Sequence, residues 1–329
     1  MTDHTVHPFD AAAGTDAWDA LVDRSVNGTF LHTQRYLSYH GDRFTDVSVE
    51  VVDAGGRLVG VLPAAVDPDD EHRVISHPGI TYGGVVHDGT LRGHAMIGVL
   101  RDAAQLWYAS GFRSLRYKPV PHIYHRAPGG DDEYALFRLG ASLGRVDLSA
   151  TIDLDAATAP NRNRRRNLTK AAESGITVVS DPDAFARFWP ILASNLETRF
   201  AVRPVHSLDE IEELARRFPT NISCTIALQD DAVVAGVVHY RTPRVLHPQY
   251  SASSDTGRTV GALDLLFQSA IADARTNGAR YYDFGISTVD QGQVLNDSLY
   301  AFKLSFGAGG VPFLHFDLDL DSARLDDPR

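Results

Sequence analysis

VLHPQYSASSDTGRTVGALDLLFQSAIADARTNGARYYDFGISTVDQGQVLNDSLYAFKLSF, residues 245–306, is the stretch that decides the fold. Leu263, Leu266, Phe267, Ala270, Ile271 and Ala274 recur at i, i+3, i+4, i+7, i+8 and i+11, one continuous apolar helix face. Gly278 supplies the stop. VLHPQYSAS before the helix and ARYYDFG after it are β-type runs, so the unit reads as strand-helix-strand with its two strands parallel. Gly257, Arg258, Thr259, Val260 and Gly261 open the helix. Unpaired N–H groups and the positive end of the dipole at such a terminus attract a phosphate or another anion.

Upstream, ISCTIAL, VVAGVVHY and VLHPQYSAS are joined by the turns QDDA and RTPR, a three-strand meander feeding that crossover. The N-terminal half shows the same order: a hairpin VSVEVVD-AGG-RLVGVLPAAVD, the loop SHPGITYGGVV, a helix over residues 91–110 stopped by Gly111, and a strand SLRYKPV. The glycine- and proline-rich loop reads either as a wall of a ligand site or as a bulged strand. A tandem duplication of this kind would place a substrate cleft between like domains. RVDLSATIDL reads as a strand crossing into the second half, and DAATAP as a linker. After it, Arg162, Arg164, Arg165, Arg166 and Lys170 crowd one helical segment that ends at Gly175. That cluster is either a solvated face or a clamp for a phosphorylated ligand. A helix follows with Asp181 as N-cap, Pro182 at its first position and a kink or break expected at Pro190. Ser207 and Glu210 have capping-box spacing.

Composition limits the function classes. The chain has 329 residues, enough for two domains that each bury a core, with 43% apolar and 22% charged residues. A net charge of −11 argues mildly against a polyanion as main partner, although a local basic patch can override the global sign. One cysteine, Cys224 in a strand-like run, excludes an internal disulfide and a cysteine zinc site and reads as packing. His122 and His125 lack a third ligand nearby, so no metal is expected. The sequence has no membrane span and no basic-then-apolar leader, which makes a cytoplasmic protein the expectation. P-loop, zincin and α/β-hydrolase motifs are absent.

The meander, the turn GRTVGA and the strand YYDFG resemble the acyl-CoA-binding core of the GNAT acyltransferase superfamily. In its R/Q-x-x-G-x-G/A turn, Arg258 and Gly261 match and Leu263 stands where the last small residue belongs. RRRNLTKAAESG, the DFG strand and LNDSLYAFKLSFGA resemble the Fem-type branch, over roughly residues 27–320. The resemblance implies an α/β (α+β) chain of two tandem GNAT-like domains, each a mixed twisted sheet flanked by helices. Residues 1–150 would be the acceptor side and 151–329 the acyl-donor side. Fem-type peptidoglycan transferases move an amino acid from aminoacyl-tRNA to an amine. By that resemblance the Phe302–Lys303 pair lies at the donor end, with Lys303 stabilising charge at the reacting carbonyl. Lys303 borders an apolar stripe of Leu295, Leu299, Phe302 and Phe306.

Amide formation needs a neutral amine, a donor facing the developing oxyanion and a proton acceptor. Asp283, a carboxylate inside an apolar strand, is the first candidate base, and His247 the second. Gln249, Tyr250, Ser287 and Asn296 are candidate donor-binding groups together with Arg258, Thr259, Val260, Gly261 and Phe302, while Arg162, Arg165 and Arg166 are candidates for anions. Tyr82, Lys118, His122 and Tyr124 are candidates for gripping the acceptor. The expected activity is N-acyl transfer, without a covalently bound cofactor, from acyl-CoA or a carrier thioester to an amine of a sugar, nucleoside or peptide precursor. An aminoacyl-tRNA donor, which makes tRNA a partner, is the alternative. A GNAT-like binding module without catalysis is a third.

Overall fold

A computed structural model describes residues 4–156, 159–180 and 183–321. The chain divides into two compact units. One holds the residues up to Asp147 with Asp290–Gln293 and the segment from Pro312; the other holds Leu148–Val289 and Val294–Val311.

In the first unit, strands β1 (His4–Pro8), β2 (Val49–Asp53), β3 (Leu58–Leu62) and β6 (Val86–His87) form an antiparallel sheet in that order. Strands β4 (Ala65–Asp67), β5 (Asp70–Ile75) and β7 (Ser114–Tyr117) form a second group. RLVGVLPAAVD is therefore two strands in two sheets: Pro63 has no N–H for a ladder, and β3 ends before it. Strands β5 and β7 are parallel, joined by the crossover that carries helix α3 (His94–Ala109). Met96, Leu100, Ala103 and Trp107 line the buried face of that helix and pack with Val49, Val59, Val74 and Leu115.

In the second unit, the end of β8 (Ser142–Asp153), β13 (Tyr281–Ile286), β12 (Val245–Ser253), β11 (Ala232–Arg241), β10 (Ile222–Gln229) and β9 (Thr177–Val179) neighbour one another in that order. The meander β10–β11–β12 is antiparallel and β12–β13 is parallel, as the hydrophobic pattern predicts. The parallel pairing spans only Val245 with Tyr281 and Leu246 with Tyr282. Just past it, β12 shifts register against β11: Val238 pairs with Tyr250 and His239 with Pro248, so Gln249 is the extra residue of a bulge. Pro248 has no N–H to give a ladder.

Helix α9 (Ala262–Thr276) buries Leu266, Phe267, Ala270, Ile271 and Ala274 against Val237, Leu246, Tyr282 and Phe284. Helices α5 (Arg162–Ala172) and α10 (Asp297–Leu304) belong to the same unit. Helix α6 (Ala184–Phe200) runs through Pro190 without a break, against expectation. Pro190 is exposed, so the Ala186 carbonyl that loses its partner faces water. Asp181 and Pro182 lie outside the described residues, as do Ala157 and Thr158 of the linker stretch. The capping box of Ser207 and Glu210 forms at α7 (Leu208–Arg217). Cys224 is buried in β10. Among the described residues no helix is long and apolar enough to cross a membrane, and no group of three or more His, Cys, Asp or Glu is placed to hold a metal ion.

Candidate active site

Three of the predicted groups converge on Gly285. Asp283 lies on β13 opposite Thr151 of β8 and is fully buried. Its Oδ1 accepts from the hydroxyls of Ser149 and Thr151 (2.9 Å for the latter) and from the N–H of Gly285 at 3.2 Å. Burial by itself would push this carboxyl up. The His247 ring, 3.6 Å from Oδ2, and the two hydroxyls outweigh it and hold Asp283 below the ordinary carboxylate range. A carboxylate so enclosed cannot meet a substrate amine, which corrects its place as first candidate base.

His247 stands on β12 directly after the last residue of its parallel pairing with β13. Its Nδ1 lies 2.8 Å from the backbone carbonyl oxygen of Asp283. A neutral imidazole that donates from Nδ1 keeps a lone pair on Nε2, and the side chain is 17% exposed. The absence of a side chain at Gly285 makes this possible: φ there is +80°, and a Cβ would stand 3.0 Å from His247 Cε1.

Lys303 comes from α10. Its stem is buried, and its Nζ donates to the carbonyls of Gly285 and Ile286, each at 2.7 Å. An ammonium has three donors, so one N–H remains. Burial lowers the Lys303 pKa to about 8, with Asp283 pulling the other way. The stripe expected beside it is not a buried face, since Leu295 and Leu299 are exposed and Phe306 is buried. Ser287 follows directly on β13, is 1% exposed, and its Oγ has no hydrogen-bond partner among the described residues. A buried hydroxyl without a partner is a ready donor for a ligand oxygen.

The turn GRTVG differs from its sequence reading. Residues 255–260 are a helix of their own, α8 (Asp255–Val260), capped by the Ser254 hydroxyl on the Gly257 N–H and closed by Gly261 at φ +74°. The N–H groups of Arg258 and Gly261 bond to Ser254 and Arg258 carbonyls. Asp255 already occupies the positive terminus and pairs with Arg258. The amides of Gly257, Arg258 and Gly261 are therefore spent inside the chain, which removes the open anion cradle expected of Gly257, Arg258, Thr259, Val260 and Gly261. A pocket of about 400 Å³ lies alongside, lined by Ser194, Asn195 and Thr198 of α6 and by Ser254, Asp255 and Arg258.

Other candidates have structural employment. Asn296 caps α10, accepting from the N–H of Leu299 at 3.1 Å. Tyr250 engages Nδ1 of His206 at 2.6 Å, and Gln249 is the half-buried bulge residue. Arg162, Arg165, Arg166 and Lys170 are exposed, whereas Arg164 of the same run turns inward to Asp264. Its guanidinium lies 4.5 Å from the ring centres of both Phe302 and Phe306.

In the first unit, Tyr82, Lys118 and Tyr124 are buried, with the two tyrosine rings 4.5 Å apart, whereas His122 is exposed and His125 is the buried histidine of that turn. Sequence reasoning missed Ser149 and Thr151. Their signal is a pair of hydroxyl residues two apart in LSATID, on one face of a strand. It also missed His32 and His77, which carry no local pattern.

Residues 160–293 match the family model of the acetyltransferase (GNAT) domain. No curated protein matches the chain. Among solved structures the chain is similar to FemX, with a TM-score of 0.69, 14% identity and coverage of 96% of this chain and 97% of that one. A conserved protein of unknown function from Bacteroides thetaiotaomicron gives a TM-score of 0.61 at 10% identity, covering 97% and 100%. L-PGS from Bacillus licheniformis gives 0.55 at 11%, covering 82% and 83%.

Proposed function

From a GNAT-like fold of the Fem type, in two tandem units, we propose that this chain is an acyltransferase passing an acyl group directly from an activated ester or thioester to an amine. The observation that carries the reading is the His247 ring, fixed through Nδ1 on Asp283 with Nε2 left as acceptor, beside the tethered Lys303 ammonium. His247 Nε2 takes a proton from the amine as its nitrogen attacks the carbonyl carbon. Negative charge grows on the carbonyl oxygen, where the remaining N–H of Lys303 and the Ser287 hydroxyl donate. Collapse of the tetrahedral adduct breaks the C–O or C–S bond, and the imidazolium returns its proton to the leaving alcohol or thiol. The Asp283 carboxylate balances the imidazolium in between. No acyl-enzyme is required.

The donor belongs in this reading to residues 151–329 and the acceptor to residues 1–150. For the donor, the internally bonded amides of α8 and the carboxylate of Asp255 disfavour the pyrophosphate of CoA, while the exposed face of Arg162, Arg165 and Arg166 favours the phosphates of an aminoacyl-tRNA. Acyl-CoA is the second reading, supported by the pocket beside Arg258. Thermal unfolding with acetyl-CoA, free CoA or a charged tRNA pool, each at two salt concentrations, separates them. The expected result is a tRNA-dependent rise in melting temperature that shrinks at the higher salt and in Arg165→Ala/Arg166→Ala. A CoA-specific rise insensitive to those arginines would transfer the assignment to a thioester donor.

A further inference from the structure

Lys118, at the end of β7, is a buried amine whose ammonium form has no counter-charge among the described residues. It is 8% exposed, its Nζ donates to the Ile80 carbonyl at 2.6 Å, and it has no ion pair among the described residues. A lone buried charge is costly unless something pairs with it. The loop 76–84 is locked over it: the Lys118 N–H donates to the Ser76 hydroxyl at 2.8 Å, and the Gly83 N–H to the Lys118 carbonyl at 2.9 Å. Gly83 cannot carry a side chain there, since a Cβ would lie 1.9 Å from the Ser76 carbonyl oxygen.

The titratable groups facing this position come from several elements. His32 and His77 are near enough to feel the ammonium, as is His315, with His125 beside His32 and His40 beside His77. Arg145 also acts on Lys118, but it is already paired with Asp147 at 2.8 Å, and His315 lies 3.5 Å from the same carboxylate. Asp147 is thus committed elsewhere. His32 is fully buried, with Nδ1 beside the Thr29 N–H at 3.0 Å and the Gly83 backbone within the ring's reach. Its ring stands 5.7 Å from that of Tyr82. The chain has therefore gathered a buried amine with no carboxylate paired to it among the described residues and several buried imidazoles under one glycine-bearing loop.

We propose that the first unit is a carboxylate-binding site in which Lys118 pairs with a carboxylate of the acceptor, making that acceptor an amino acid or peptide rather than a neutral amino sugar or a diphosphate-linked compound. The charge count carries the choice. Burial holds His32 near 4 and His77 near 3, so both are neutral at pH 7, and Lys118, which burial brings down to about 7, offers at most one positive charge, about half formed at that pH before a carboxylate binds. A diphosphate would bring a second negative charge into a place that cannot balance it. The acceptor role rests on the acyl-transfer reading, whereas carboxylate binding does not.

The test uses the full chain and four probes, glycine, glycinamide, acetate and inorganic pyrophosphate, read as concentration-dependent rises in melting temperature at pH 6, 7, 8 and 9. Glycine and acetate are expected to stabilise the wild type and not Lys118→Met, with glycinamide inert. Burial places Lys118 near 7 when empty, so carboxylate affinity is expected to fall about tenfold per pH unit above that point. If Lys118→Met does not fold, the wild-type pH series carries the test alone. Equal stabilisation of wild type and Lys118→Met, preference for pyrophosphate, a pH-independent effect or no carboxylate effect would each overturn the inference. Carboxylates that bind here in a chain with no transfer activity would instead sink the acyl-transfer reading and leave this site standing. Transfer to glycinamide as fast as to glycine would do the reverse.

Discussion

Replacing Arg164 by methionine should cost this chain about 3 kcal/mol of stability at pH 7, while the same change at Arg166, two residues along the helix, should cost almost nothing. Arg164 is 8% exposed and makes three kinds of contact. It pairs with Asp264 of α9, donates from Nε to the Ser305 hydroxyl at 2.9 Å, and stacks on Phe302 and Phe306. Removing one partner of a buried pair leaves an uncompensated charge, which costs about 3–5 kcal/mol. The two side chains keep 9% and 12% exposure, which argues for the lower end, and methionine refills the space over the rings. Arg166 is exposed, so its replacement belongs with surface substitutions within about ±0.5 kcal/mol. Urea unfolding followed by circular dichroism measures both. Burial already pushes the Asp264 carboxyl up, against the pull of Arg164; without the guanidinium it rises further. The variant's deficit should therefore shrink as pH falls toward 4 and Asp264 takes up a proton, and Arg164→Met/Asp264→Asn should recover most of it at pH 7. A deficit at pH 7 no larger than that of Arg166→Met, or one unaltered at pH 4, would refute the reasoning.

His247→Ala should lower the transfer rate by about 10²–10⁴-fold and also lower the melting temperature, because the ring is the proton acceptor and also offsets the burial of the Asp283 carboxylate. Equal rates would remove it from the chemistry. Lys303→Met should cost about 10²–10³-fold. Since burial brings Lys303 to about 8, the wild-type rate should fall about tenfold per unit above that pH, as the ammonium is lost; a rate still rising at pH 9 would contradict a cationic role. Gly257→Ala would set a Cβ 2.2 Å from the Val234 carbonyl oxygen and should destabilise by more than about 2 kcal/mol. Gly98→Ala, inside α3 with nothing within 4 Å, should stabilise by about 0.5–1 kcal/mol; the two melting temperatures moving the same way would discredit the contact argument.

What could be read from the residues was what is local. The face of α9, the order of β10, β11 and β12 and the capping box at Ser207 follow from periods of two and 3.6 and from side chains within four positions of one another. The errors have distant or conformational causes. Arg164 sits in a run of look-alike residues, and what selects it for the interior is Asp264, a hundred positions on. Asp283 looked like a base because its partners, Ser149 and Thr151, arrive from a strand more than 130 residues earlier. GRTVG looked like an open turn because the Ser254 cap lies outside the motif and the left-handed conformation of its last residue, Gly261, which closes it as a helix, is not legible in the residues. Pro190 breaks helices in general, but here it faces outward.

The way Lys303 is held has one more implication. Its ammonium reaches two successive peptide oxygens at the end of β13, offering N–H groups much as the edge of another strand would. A mobile side chain thus acts as a one-residue splint on the stretch of backbone that also supports the His247 ring. Any substrate carbonyl oxygen that drew this nitrogen fully toward itself would loosen that splint, and amide hydrogen exchange at Gly285, Ile286 and Ser287 would quicken. Engagement of substrate would then be written in the main chain, where it can be followed without knowing what is transferred.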